Sequence, residues 1–337
     1  MRNSPTMISE SAEDRLIARY FGPLAQHPGA LGLTDDAAVL TPPAGCDLVL
    51  KADAIVGEVH FFADDPPGTI ARKALRVNLS DLAAKGAKPL GFLLSLALPK
   101  GIDDAWLAAF AGGLQADVEQ YECPLLGGDT DRTPGPVTVS IATFGSVPHG
   151  SMVRRSGARV GDRVVVTGTI GDGTLGLQLR KARATAAHWG LTDAMRDNLL
   201  DRYLLPQPRN AIADAVRRFA SAAMDISDGL AGDLAKLCRA SGVSAAIDAA
   251  RVPLSAAAQA ALAHDASLIE PVLTGGDDYE ILASVSAAKL AAFRTAASAA
   301  GVNLTEIGEI TASDGAPRFV GRDGLPLKFA RPSFSHF

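Results

Sequence analysis

The sequence predicts an α/β protein of two domains. Apolar strand-like runs alternate with amphipathic helical ones along the chain. Its 337 residues suit two domains of ordinary size. Between them, "PHGSMVRRSGARVGD" at 148–162 is polar, basic and glycine-bearing, as a connecting stretch is. The division therefore falls at 1–148 and 149–337.

The elements follow in order. "DRLIARYF" at 14–21 reads as a short amphipathic helix with Leu16, Ile17, Tyr20 and Phe21 on one side. "DLVLKADAIV" at 47–56 is rich in β-formers and bounded by turn residues, hence a strand. "GTIARKALRVNLSDLAAKGA" at 68–87 sets Ile70, Ala74, Val77 and Leu82 at helical spacing, with Gly86 as its stop. "PLGFLLSLALP" at 89–99 is a continuous apolar strand. The helix "DDAWLAAFAGGLQADVEQYE" at 103–122 begins at Asp103 or Asp104. "PLLGG" at 124–128 and "VTVSIATFGSV" at 137–147 add strands. Beyond the connection, "RVVVTGTI" at 163–170 is a strand and "TLGLQLRKARATAAHW" at 174–189 a helix. A long helical and loop region leads to "AAMDISDGLAGDLAKLCRASG" at 222–242. "VSAAIDAARVPL" at 243–254 and "YEILASV" at 279–285 are further strands. "SAAKLAAFRTAASAAG" at 286–301 is a helix, and the tail "LKFARPSFSHF" is irregular.

Composition narrows the function. Hydrophobic residues make up 47% and charged residues 20%, enough apolar material for a substantial core and against disorder. A net charge of −5 argues against a nucleic-acid or anionic-membrane surface. Cys46, Cys123 and Cys238 stand alone, an odd total with no CxxC pair, which fits a reducing compartment and neither disulfides nor zinc. "MRNSPTMISESAEDR" has no apolar leader region, and no run approaches a membrane span. The expectation is a cytoplasmic protein without membrane or nucleic-acid partners.

One motif is a decoy. Gly171-Asp172-Gly173-Thr174-Leu175-Gly176 matches GxGxxG between a strand and a helix. The dinucleotide fingerprint also needs a second strand ending in an acid about 20 residues on. Here "RKARATAAHWGLTDAMRDNLL" fills that place and reads as helix and loop, so a tight strand-to-helix turn is the better reading. No Walker GxxxxGK[ST] and no GxSxG occur.

The carboxylates carry more. "LTDDAAVL" at 33–40, "LLGGDTD" at 125–131, "MDISDGL" at 224–230 and "LTGGDDYEIL" at 273–282 all set acids beside glycine or at the ends of apolar runs. Singly, each has a local explanation. Asp35 and Asp36 suit a turn, and Ser227 or Asp225 suits an N-cap with Asp228 in the first helical turn. Asn78 and Asp81 resist this, lying three apart on one face of an otherwise apolar helix where an acid is costly without a partner. Asp129 leaves an apolar run through two glycines, a flexible turn that lets backbone approach a ligand, and "GGDDYE" at 275–280 repeats it. "DISDG" lacks the alternating ligands of an EF-hand. Collected in one place, these hard oxygen ligands select Mg²⁺, Mn²⁺ or Ca²⁺, and Mg²⁺ with phosphates points to phosphoryl transfer from ATP.

In this order, "DDAAVL", "NLSDLAAKGA", "LLGGDT", "RRSGARVGD", "VTGTIGD", "MDISDGL" and "GGDDYE" resemble the thiamine-phosphate kinase (thiamine-monophosphate kinase) family. The likeness runs from about Leu16 to the terminal "SHF". This family lies within the aminoimidazole-ribonucleotide-synthetase-like, or PurM-like, superfamily. The resemblance implies a two-domain α/β (α+β) architecture. Its N-terminal domain forms a β-barrel-like core of a homodimer, and its C-terminal domain completes the nucleotide and substrate site. It implies ATP-dependent conversion of thiamine phosphate to thiamine diphosphate with several Mg²⁺ ions. Carried onto this chain, it makes Asp36, Asp53, Asp81, Asp129, Asp225 and Asp228 the metal ligands. Gly128, Asp129, Arg155 and Ser227 meet ATP. His60, Asp277 and Phe329 meet thiamine phosphate, and Asp129, Asp228 and Arg155 serve catalysis.

Three positions depart from the family pattern. Thr34-Asp35-Asp36 replaces Gly-Asp-Asp, Lys51-Ala52-Asp53 replaces Ser-Thr-Asp, and Asp277 stands where Glu is common. Lys51 either replaces a metal's charge or points elsewhere, which leaves the number of ions open. The alternatives are a selenophosphate-synthetase-like or hydrogenase-maturation-like enzyme, or a relative that binds nucleotide or thiamine without turnover. The first would carry a reactive cysteine near the N-terminus, yet the first cysteine is Cys46. The second would carry one at the C-terminus, yet the chain ends in Phe337.

Overall fold

Strands and helices form where the apolar period switches between two and 3.6 residues. The computed structural model describes residues 11–313, 315–331 and 333; the terminal "SHF" of the resemblance lies outside them. Contacts divide the chain into two units. One comprises Met1–Pro42, Ala52–Leu75 and Leu90–Phe144, the other Pro43–Lys51, Arg76–Pro89 and Gly145–Phe337.

Helix α1 (Ala12–Leu16) is opened by a capping box in which Ser11 and Asp14 each accept the other's backbone N–H. It winds on through Ile17–Phe21, burying Tyr20 and Phe21. Then come β1 (Cys46–Val56), α2 (Pro67–Ala84), β2 (Lys88–Leu98), α3 (Asp104–Tyr121), β3 (Leu125–Arg132) and β4 (Thr138–Pro148). Proline suits the first position of α2, where its missing N–H would lack a partner anyway. Ile70, Ala74, Val77 and Leu82 are buried as their spacing requires. Asp103 caps α3 by accepting from Trp106 N. The strands form one sheet in the order β1-β4-β2-β3, with β2 and β3 parallel across the α3 crossover.

The remaining elements are β5 (Arg163–Thr167), α4 (Asp172–Lys181), α5 (Thr185–His188), α6 (Asp193–Leu204), α7 (Ala213–Phe219), β6 (Ala220–Asp225) and α8 (Leu230–Ser241). After them come β7 (Ser244–Asp248), α9 (Ala256–His264), α10 (Ile269–Thr274), β8 (Ile281–Val285), α11 (Ala287–Ala299), β9 (Leu304–Thr311) and β10 (Arg318–Val320). They build a six-stranded sheet in the order β10-β7-β9-β5-β8-β6. Its pairings are antiparallel except for β10 with β7. Both faces are covered. Val164, Val166 and Leu282 pack with Leu234 and Leu237 of α8, whereas Val165, Ala283 and Val285 pack with Val216 of α7 and Phe293 of α11. A strand buried on both sides reads as a continuous apolar run, which is why "RVVVT" shows no alternation.

Four sequence expectations change. The helix expected over 174–189 begins at Asp172 and breaks after Lys181, resuming as α5. The strand expected over 243–254 stops at Asp248, and the one over 279–285 starts only at Ile281. The double glycine before Asp129 is not a turn: Gly127, Gly128 and Asp129 all lie within β3. The close approach at Gly128 is to β2, because a Cβ there would sit 1.8 Å from the Leu94 carbonyl oxygen. That oxygen belongs to backbone and cannot swing away. Gly128→Ala is therefore expected to lower stability by roughly 1–3 kcal/mol, as overpacking does. Gly127→Ala, whose Cβ meets only Leu93 Cδ2 at 3.4 Å, should stay within about 0.5 kcal/mol. Urea unfolding of the two variants side by side checks the contrast.

Candidate active site

Two loops continue the β6–β8 pairing beyond the strand ends. Ile226 N donates to Glu280 O (2.8 Å), Tyr279 N to Ile226 O (2.8 Å) and Asp277 N to Ser227 O (3.0 Å). Glycine permits this contact, since a Cβ on Gly276 would lie 2.2 Å from the Ser227 carbonyl oxygen. The "MDISDG" and "GGDDYE" motifs are thus held backbone to backbone. Asp277 and Tyr279 take positive φ angles of 71° and 51° to make the fit.

Within these motifs several acids serve the fold. Asp278 is buried, and its carboxylate accepts Gly171 N at 2.8 and 2.9 Å and Gly173 N at 3.3 Å. Burial pushes its pKa well above the ordinary carboxylate range, and the two amides work against that rise. The GxGxxG amides at the start of α4 therefore already hold the protein's own anion. Asp172 beside them accepts from Thr169 Oγ1 and Ser255 Oγ, both at 2.6 Å. Glu280 is fully buried and accepts from Thr167 Oγ1 (2.6 Å), Arg202 Nη2 (2.8 Å) and Arg209, whose guanidinium grips both of its oxygens. Asp233, also buried, accepts Ser227 N (3.0 Å), Asp228 N (2.9 Å) and Lys236 Nζ (2.8 Å). The α8 cap expected from Ser227 or Asp225 is not formed: the residue at the cap position is Gly229, which has no side chain to offer, and Asp233 instead holds the two amides that precede it. Burial raises the Asp233 pKa even with Lys236 in place.

A different cluster gathers around Asp225 at the end of β6. Asp225 is buried, and its carboxyl is raised far above the ordinary range, first by desolvation and then by the nearby Asp81 carboxylate. Asp81, on α2, forms an ion pair of 2.8 Å with Lys51 of β1. That pair answers the question of how the helix tolerates Asp81. Lys51 also draws Asp225 toward its charged form, as does Ser80 beside it. Yet Ser80 Oγ lies outside hydrogen-bond geometry and, fully buried, has no partner. Lys85 donates to Ala223 O at 2.7 Å, and burial lowers its pKa to about 8 despite Asp225 and Asp81 nearby.

Comparison with known proteins identifies the family. The description "AIR synthase related protein, N-terminal domain" matches residues 34–147, and its C-terminal counterpart matches 159–320. A thiamine-monophosphate kinase from Caulobacter vibrioides is 45% identical over 317 residues, covering 93% of this chain and 88% of its own. The chain belongs to the thiamine-monophosphate kinase family. Among solved structures, the family member from Stenotrophomonas maltophilia superposes with a TM-score of 0.79 at 35% identity, covering 93% of this chain and 96% of that one. AaThiL complexed with AMPPCP and TMP gives 0.76 at 30%, covering 90% and 91%.

The other residues that the family likeness singled out are placed as follows. Asp129 is exposed in β3, paired in register with Ser95 of β2, and Gly128 precedes it. Asp53 is half-buried in β1, and Asp36 is exposed, its N–H donating to Asp35 Oδ1. His60 is half-buried; its Nδ1 accepts from Val56 N, which leaves Nε2 to carry the ring proton. Asp228 is partly exposed and ion-paired with Lys236. Arg155 is exposed, its carbonyl accepting from Ser241 Oγ. Phe329 packs edge-on against Phe319, with ring centres 5.3 Å apart. Two surface cavities, one beside Asp47 and Arg154 and one beside Lys100 and Arg132, hold none of the expected ligands.

Among the described residues no three His, Cys, Asp or Glu side chains are arranged to hold a metal ion by themselves. The donors present fit magnesium nonetheless. Mg²⁺ is commonly held by one or two carboxylates, with substrate phosphates completing the shell. The Asp81–Asp225 pair with the orphaned Ser80 oxygen is a donor set of that kind. Sequence inspection passed over Arg202, Arg209, Asp233 and Lys236; Arg202 and Arg209 lie in an unremarkable helical and loop stretch, with no local signal of their role.

The division of labour inside "GGDDYE" is testable. Glu280→Gln leaves two guanidinium groups without their counter-charge and should cost about 3–5 kcal/mol. Asp277→Asn should unfold at nearly the wild-type denaturant concentration. Equal losses in guanidinium titrations would refute the assignment.

Proposed function

We propose that this chain transfers the γ-phosphoryl group of ATP to thiamine phosphate, giving thiamine diphosphate and ADP. The observation that carries this is the relative that holds AMPPCP, an ATP analogue, together with TMP while sharing 30% identity over 90% of this chain. The reaction breaks the bond from the γ-phosphorus to the β,γ-bridging oxygen and forms one to an oxygen of thiamine phosphate. That oxygen is already largely ionised at neutral pH, taking the second phosphate pKa as about 6, so no strong general base is needed. A site rich in Asp and poor in His follows naturally. Transfer is direct and in line, without a phosphoenzyme.

Together the two substrates bring about six negative charges, which carboxylates alone would repel. Several Mg²⁺ ions, when bound, neutralise and align the phosphates. Asp81 and Asp225 would hold such ions, joined by Asp36, Asp53, Asp129 and Asp228. Arg155 offsets phosphate charge, Ser227 and the Gly128 backbone meet ATP, and His60, Asp277 and Phe329 meet thiamine phosphate.

We also propose the domain division at 148/149, supported by the two family descriptions falling on either side of it. A cytoplasmic homodimer completes the proposal. No described helix is long and apolar enough to cross a membrane, and the three cysteines are unpaired. Dimerisation through a β-barrel-like core draws support from β1. It is an edge strand whose Leu48 and Leu50 are 40% and 66% exposed while Val49 between them is buried. An exposed apolar edge of this length invites pairing. A second reading, binding without turnover, is favoured only by the Lys51–Asp81 pair.

Thiamine diphosphate formation from thiamine phosphate, ATP and Mg²⁺, followed by chromatography, decides between them. Asp129→Asn and Asp225→Asn should each lower kcat/KM by about 10²–10³-fold with the fold intact, and no phosphorylated protein should accumulate during turnover. Leu50→Glu should halve the mass seen by light scattering. A wild-type chain that is already monomeric would remove the dimer.

A further inference from the structure

Lys51 of β1 turns its ammonium onto an acid of α2. Its Nζ sits 2.8 Å from Asp81 Oδ2, with the two side chains only 29% and 15% exposed. The same ammonium acts on Asp225, which the Asp81 and Asp233 carboxylates both repel. Lys85 stands near Asp225 and Asp81, with Arg155 near it in turn. Lys85 donates to the Ala223 carbonyl at 2.7 Å, and Lys51 is the cation paired with Asp81.

We propose that Lys51 is a resident cation that takes the place of one divalent ion at Asp81. This rests on the metal-dependent reading above. An ammonium carries three N–H donors, so it can hold Asp81 with one and reach a phosphate oxygen with another. It thereby bridges carboxylate and phosphate as a metal would. It differs from a metal in three respects. Its contacts are hydrogen bonds of about 2.8 Å rather than bonds of about 2.1 Å. It imposes no octahedral geometry, and it does not dissociate when magnesium is scarce. A metal on the same oxygen would have to approach an ammonium already seated there, in a partly buried site where screening is weak. Removing the lysine charge strips Asp81 of its paired cation, leaving a place for one more hard cation.

The test counts bound ions and needs no turnover. Mn²⁺ binding is measured by the loss of its free-ion electron paramagnetic resonance signal, in the presence of AMPPCP and thiamine phosphate. Lys51→Ser and Lys51→Ala should each bind one more Mn²⁺ per chain than wild type, and Lys51→Arg should bind the wild-type number. Thermal melts confirm that the variants are folded; the Ser and Ala variants serve as independent checks on one another. If wild type binds manganese and both neutral variants bind the same number, Lys51 is only a salt-bridge partner and the proposal fails. If neither wild type nor variants bind manganese, the metal-dependent reading fails and this inference falls with it.

Discussion

A carboxylate taken out of water must meet a cation or several N–H donors, or else give up its charge. This chain buries acids repeatedly and answers that demand in a different way at each. Asp278 is met by two backbone amides, Glu280 by two arginines and a threonine, and Asp233 by two amides and Lys236. Asp81 is met by Lys51. Asp225 is the exception: burial and Asp81 drive it toward its neutral form, offset by Ser80 beside it and the attraction of Lys51 and Lys85. The acids with strong internal partners hold the fold. The one without such a partner marks the place where an external cation gains most.

The paired loops give this chemistry its geometry. Three backbone hydrogen bonds join 226–227 to 277–280, and the absence of a Cβ at Gly276 lets the chains come that close. Because the loops extend the β6–β8 ladder, alternate residues point opposite ways. Asp278 and Glu280 turn inward, to the α4 amides and to Arg202 and Arg209, while Asp277 stays partly exposed. The inward acids of this segment, Asp278 and Glu280, thus serve the fold. The same economy disposes of the GxGxxG segment: its helix N-terminus is real, but Asp278 fills it.

Much of this was legible in the linear chain. Periodicity located β1 to β5 and α2 and α3 because their packing is one-sided or fully apolar, and Asp103 announced its own helix. The ordered acidic motifs were legible too, since hard ligands beside glycine need no tertiary knowledge to be noticed. Strand ends at Asp248 and Ile281 were not, because what stops those strands is the partner strand and not the local sequence. Gly128 was found for the right reason, close approach, and the fold adds a neighbour that the linear chain does not show, the Leu94 carbonyl of β2. Arg202 and Arg209 gave no signal, since an arginine in a helix or loop looks alike whether it meets water or a buried glutamate.

The sequence by itself determined the α/β class, the family, the absence of Walker and serine-hydrolase motifs, and the set of residues from which a site could be built. Composition, period and motif order are properties of neighbours along the chain, and those need no folding to be read. Only the tertiary structure decided which acid has which partner. Lys51 and Asp81 are thirty residues apart, and Asp225 is far from both; whether a charge is neutralised depends on distances of about 3 Å and on exclusion of water, and folding alone sets these.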